Sequence, residues 1–430
     1  RAGDPAGFAS AAGQLHPITP DIRAMRRWFH FALFFFAIAA SIGALLRLIY
    51  VVEMPWFLFK PWLHAHSHVA MLGWLFPGLL IALIRQDERP APRRFHMWMT
   101  ASQAFVVGML VSFPLQGYGP ISIAFSLGQL LVGYGLVVQV WRQTAHWPIA
   151  GSRLLVRLAL FFQVFSTIGV WAMGPIMRSG LAGSEWYYWS IQWFLHFQFN
   201  GWFWFAAMAI GSRWAEKHGV HVDLDRLTVF LWVIGTLLTF ALTIAWSERL
   251  PAIIAVNSLG VLVQTWAAWR TMRAMFRARL RALVRTTPWM RVVIGAMLIA
   301  MGVKVAAQTA VTIPAVADIA MTLRNFVVGF VHLNTLGAGT MVLLAFALER
   351  RWLDESRRII RFGLVALITG FALSELLLFG QGTLIWVRWG MLPGYNWMLF
   401  GVSALLPTGA IMLLAGALRG ARPVPVVQGS

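Results

Sequence analysis

Long apolar runs separated by short polar punctuation dominate the chain. Twelve of them lie near 28–52, 60–85, 95–115, 119–141, 153–177, 186–212, 226–246, 251–276, 288–313, 319–348, 359–381 and 394–418. Each is long enough for a helix that crosses a bilayer. Helix is the expected state, because a lipid-facing backbone must satisfy its own hydrogen bonds. No interval between runs is long enough for a separate soluble domain. The pattern predicts a polar lead-in over 1–22 without a signal-type apolar core, a transmembrane domain over 23–418 and a polar tail over 419–430. The widest break, 270–291, is rich in arginine and is expected to be helical at the membrane surface.

Composition agrees, with 59% hydrophobic and 12% charged residues, the profile of a polytopic membrane protein. The net charge of +20 could suggest nucleic acid, but its placement argues otherwise. Of the 35 lysines and arginines, 28 fall before run 1 and after every even-numbered run. The other side holds Arg47, Lys60, Arg178, Arg249, Arg324 and Arg388, and Lys304 lies within run 9. The positive-inside rule then predicts cytoplasmic termini, in what is expected to be a bacterial inner membrane. The basic excess is a topology signal that also suits anionic lipid, and no nucleic-acid partner is implied. Without cysteine the chain has no disulfide, iron–sulfur cluster, thiolate haem ligand or c-type haem attachment.

Ionisable residues inside apolar spans mark functional sites. Five of the eleven histidines, His64, His66, His68, His196 and His332, sit in runs 2, 6 and 10. The pattern H-x-x-x-L-G at His68–Gly73 returns at His332–Gly337, with a relative at His196–Gly201. The separations are 128 and 136 residues, four runs each time. At 1.5 Å per residue His196 and His332 lie roughly 15–18 Å below the outer surface, and His68 is shallower. Three four-helix units around a pseudo-threefold axis are expected, each glycine leaving room for a flat macrocycle or for a closely packed neighbour. Taken singly, such a histidine serves equally as an interhelical hydrogen bonder. Together they suit axial ligation of a haem. His64 and His68 share a helix face and His66 points the other way, so one can bind haem while another serves a second site. The i,i+4 pair could also chelate copper or zinc with a third ligand from elsewhere. Lys304, Glu375, Gln198, Asn200 and Asn334 are further polar residues at bilayer depth: interhelical glue, parts of a proton or substrate path, or, in a haem protein, hydrogen-bond partners of ligands and propionates.

With these residues in view, the chain resembles subunit I of the haem–copper oxidase and nitric oxide reductase superfamily over most of its length. The resemblance implies an all-α integral membrane fold of twelve transmembrane helices in three four-helix arcs. It implies a low-spin, bis-histidine haem b held by His332 and by a histidine of the HAHSH segment. The repeat favours His68 there, with His66 and His64 as alternatives in register. It further implies His196 at a copper-ligand position and Arg388 near the haem propionates. Run 7 has no histidine, however, and Phe330 stands where that family places a high-spin haem ligand. A conventional second haem–copper centre is therefore not expected, and His196 would be a remnant or a repurposed metal ligand.

The expected function is respiratory electron transfer, with other membrane subunits and a cytochrome c-type or quinol donor as partners. One alternative is an active oxygen or nitric oxide reductase, an oxidoreductase with an unusual second metal centre. The other is a haem-free proton-coupled transporter or channel.

Overall fold

A computed structural model describes residues 20–87, 89–222, 224–248, 250–278 and 286–419. Most of the lead-in and tail, Arg249, and 279–285 of the arginine-rich break lie outside the described residues. Helices are the only regular elements among the described residues. The long ones are α1 (Pro20–Leu48), α2 (Phe59–Ile84), α3 (Arg93–Gln116), α4 (Pro120–Thr144), α5 (Ala150–Arg178), α6 (185–217), α7 (Arg226–Ile244), α8 (Pro251–Arg277), α9 (Pro288–Ala310), α10 (Arg324–Glu349), α11 (Arg358–Trp386) and α12 (Tyr395–Leu418).

Eleven of these are long and apolar enough to cross a bilayer, where twelve were expected. The exception is α6, a continuous helix whose centre carries His196, Gln198 and Asn200 and is correspondingly less apolar. Two boundaries also differ from the pattern. Run 10 begins only at Arg324, because Pro314–Thr322 forms a short helix of its own and Leu323 is extended. Helix α7 is interrupted after Leu238 and resumes at Ala241.

Helices α2, α6 and α10 form the centre. Their inner halves, Phe76–Ile84, Trp204–Ile210 and Met341–Leu348, are buried throughout. Each contains a π-helical turn beginning just after a repeat histidine: Val69–Leu75 after His68, Phe197–Phe203 after His196 and Leu333–Thr340 after His332. π-Helix is rare and concentrates at functional sites, so its recurrence at three equivalent places makes the repeat a property of the backbone as well as of the sequence.

The repeat glycines serve close packing. A Cβ on Gly73 would meet Cβ of Phe35 in α1 at 2.9 Å, one on Gly201 would meet Cβ of Phe162 in α5 at 2.6 Å, and one on Gly337 would meet Cβ of Ala300 in α9 at 2.5 Å. In every unit the central helix thus leans on the helix before it. Gly201→Ala should therefore destabilise the protein by about 1–3 kcal/mol, because Phe162 cannot withdraw at its Cβ. Gly211→Ala, on the same helix but facing open space, should be neutral or slightly stabilising. Thermal unfolding of the two variants in detergent checks the contrast.

Ion pairs gather at one end of the bundle. Arg85 pairs with Asp21 at 2.9 Å, and Arg213 with Asp87 at 3.3 Å and Glu216 at 3.2 Å. Arg350 donates to the carbonyl of Arg85. The opposite end opens into a cavity.

Candidate functional site

That cavity, about 320 Å³, lies between α1, α2, α10 and α12, within the usual range for ligand clefts of roughly 300–1,000 Å³. Its mouth carries Arg47, Tyr50, Arg324, Asn325 and Tyr395, and its inner end is closed by Trp74, Leu75 and Leu406. Arg324 lies over the Phe59 ring at 5.0 Å, and Asn325 donates to the Tyr395 hydroxyl at 2.9 Å, so the mouth is cross-braced.

His66 and His332 both line this space. His66 lies seven residues into α2 and His332 eight into α10, which puts both about 10–12 Å along their helices from the same end. The His66 Nδ1–H donates to the carbonyl of Ala39 in α1 at 2.8 Å, leaving Nε2 for the cavity. The ring rests on Gly43, where any Cβ would meet its Cε1 at 2.9 Å. With Ala39, Ala40 and Ala44, Gly43 gives α1 a low-relief face along the slot. The His332 Nδ1 approaches Glu375 Oε1 of α11 at 3.3 Å, so its Nε2 is likewise the nitrogen left for the cavity. At the inner end Trp74 Nε1 donates to Thr340 at 2.9 Å and the indole stacks on Phe36, which ties α2 to α10 and α1.

His68, the repeat-favoured histidine, does not line the cavity. Its Nδ1 is 2.9 Å from the His64 carbonyl, its ring packs on Phe113 at 4.4 Å, and Nε2 is 3.5 Å from the Tyr118 hydroxyl. His64 faces the same way, 4.5 Å from the Tyr118 ring. The histidine that shares the cavity with His332 is therefore His66, one of the register alternatives, and not His68. The physical reason is rotation, since two residues back along a helix turn a side chain by about 200°.

Arg388, expected near the haem propionates, also lies away from this cavity. It is exposed in the α11–α12 connection with φ +62° and is not part of the cavity wall. Arg47 and Arg324 hold the mouth instead. Their signal was present, since both belong to the sparse basic residues of that side, but nothing local linked them to a histidine.

His196 is buried elsewhere, between α6 and α7. Its Nε2–H donates to the Thr236 carbonyl at 2.8 Å and its Nδ1 is 3.3 Å from Asn200 Nδ2, so neither nitrogen is spare. Gln308 of α9 donates to Asn200 at 3.2 Å. Lys304 is fully buried nearby, with its ammonium 4.1 Å from the centre of the Trp204 ring and 6.0 Å from Phe330. Where the resemblance would place a second centre, the structure has an amide network and a cation–π contact. Among the described residues no three His, Asp or Glu side chains are grouped to hold a metal ion. No protein-family model and no curated protein matches this chain.

Proposed function

We propose that the cavity between His66 and His332 binds one b-type haem and that the protein is a membrane electron-transfer protein of the haem–copper oxidase subunit I type. The observation that carries this reading is that two histidines line one cavity, His66 with its Nδ1–H on the Ala39 carbonyl and His332 with its Nδ1 3.3 Å from Glu375 Oε1. Ligating histidines are oriented in this way, which fixes the tautomer and aims Nε2 at the metal.

The remaining walls fit the group. Ala39, Ala40, Gly43 and Ala44 offer a shallow surface to a flat macrocycle, and Arg47 and Arg324 offer guanidinium groups to propionates at the mouth. A bis-histidine haem supplies a one-electron couple with both axial positions filled. The chain's own residues would hold it by its two faces, exclude water along the apolar walls and neutralise its carboxylates at the polar end. The recurrence of a π-turn and a packed glycine in α2, α6 and α10 supports three arcs of four helices, with α6 as the twelfth span. The loading of basic residues supports cytoplasmic termini in a bacterial inner membrane.

Haem extracted from protein produced with ample haem supply and assayed as the pyridine complex should give one b-type haem per chain. A colourless preparation would overturn the reading in favour of a haem-free transporter. Arg47→Ala and Arg324→Ala should each weaken haem retention about tenfold, the equivalent of a lost charged hydrogen bond. Arg388→Ala should leave retention unchanged, as judged by haem transfer to apomyoglobin.

A further inference from the structure

We propose that Glu375 is the positioning partner of the His332 ligand, accepting its Nδ1–H and setting the potential of the haem; the proposal rests on the haem reading above. The carboxyl group is buried on α11, and among the described residues neither of its oxygens has a hydrogen-bond partner, nor has the Nδ1 of His332. The two groups nevertheless lie 3.3 Å apart. A carboxyl group buried without a hydrogen-bond partner is costly, and nothing in the packing of α10 on α11 requires one. Leucine or methionine would fill the same volume.

The backbone makes room for it. Gly329 stands one turn before His332 on α10, and a Cβ there would meet Phe379 at 2.7 Å and Glu375 Oε2 at 3.2 Å. The carboxylate therefore sits in a recess formed by the missing side chain of Gly329 and the His332 ring. With Nε2 committed to a metal, a neutral imidazole carries its proton on Nδ1, the nitrogen 3.3 Å from Glu375 Oε1, so a small turn of either side chain would close the hydrogen bond. His66 gives its Nδ1–H to a peptide carbonyl instead. The two axial ligands thus differ: one is oriented by an amide, the other by a carboxylate that raises the donor strength of the imidazole. A stronger donor favours the oxidised iron and lowers the midpoint potential.

The test is Glu375→Gln, which keeps the shape and an acceptor oxygen but cannot ionise, in full-length protein reconstituted in nanodiscs. Redox titration should show a midpoint shifted to more positive potential than wild type, and the electron paramagnetic resonance spectrum of the oxidised haem should change its largest g value. Haem content should stay at the wild-type level, and Glu375→Asp should restore part of the shift. Gly329→Ala, which presses on the carboxylate without touching its chemistry, should shift the midpoint in the same direction by less. A haem-loaded Glu375→Gln protein with unchanged midpoint and g values would overturn the role of Glu375 while leaving the haem reading intact. Wild-type protein that binds no haem would overturn both.

Discussion

Replacing His66 or His332 with alanine should abolish the sharp reduced bands of a six-coordinate haem, whereas His68→Ala and His64→Ala should leave them in place. On the proposed reading each of the first two substitutions would remove one of the iron's two histidine ligands, so that the iron would take up a weak ligand or leave the protein. The difference between His66 and His68 is the informative part, because the residues are two positions apart on one helix and equally conspicuous in the sequence. His66 reaches the slot and is held by the Ala39 carbonyl, whereas His68 turns to Phe113 and Tyr118. His196→Ala should also retain the bands, since its ring is engaged with Thr236 and Asn200 away from the cavity. Spectra of the five purified variants at equal protein concentration decide the matter. An unchanged low-spin spectrum in His66→Ala would return the ligand to His68.

Trp74→Ala should be the most damaging substitution outside the ligands, at about 3–5 kcal/mol. Trp74 is 1% exposed and stacks on Phe36 at 5.0 Å, so truncation empties the inner end of the slot. It also strands Thr340, whose hydroxyl still donates to the Thr335 carbonyl but loses the indole donor. Trp74→Phe keeps most of the packing and should cost about 1 kcal/mol, near the value of one hydrogen bond. Unfolding titrations in mixed micelles measure both, and a loss below 1 kcal/mol for the alanine variant would mean that the helices close over the gap.

The organisation of the chain was legible because bilayer thickness and arginine placement act on every helix alike. The histidine–glycine repeat was legible as well, and it proved to mark the π-turns and the close contacts at Gly73, Gly201 and Gly337. Which histidines oppose each other was not, and the reason lies in the symmetry. Residues that occupy equivalent repeat positions face equivalent directions: His68 faces the end of α3, His196 faces α7 and His332 faces α11. Two such residues cannot meet across one slot, and the histidine that shares the cavity with His332, His66, lies off the repeat. The roles of Arg47 and Arg324 were hidden for a related reason, since a cavity mouth is assembled from helix ends far apart in sequence. The weak apolarity of α6 follows from the same polar residues that form its internal network, His196, Gln198 and Asn200, so the feature that made it a site candidate also removed it from the plainly apolar spans.

A density map of the purified, haem-supplied protein shows where a haem sits. Planar density is expected in the cavity between α1, α2, α10 and α12, with Nε2 of His66 and of His332 on opposite sides of its centre and its carboxylates toward Arg47 and Arg324. A slot filled by lipid or side chains, or a macrocycle seated against His64, His68 or His196, would contradict it.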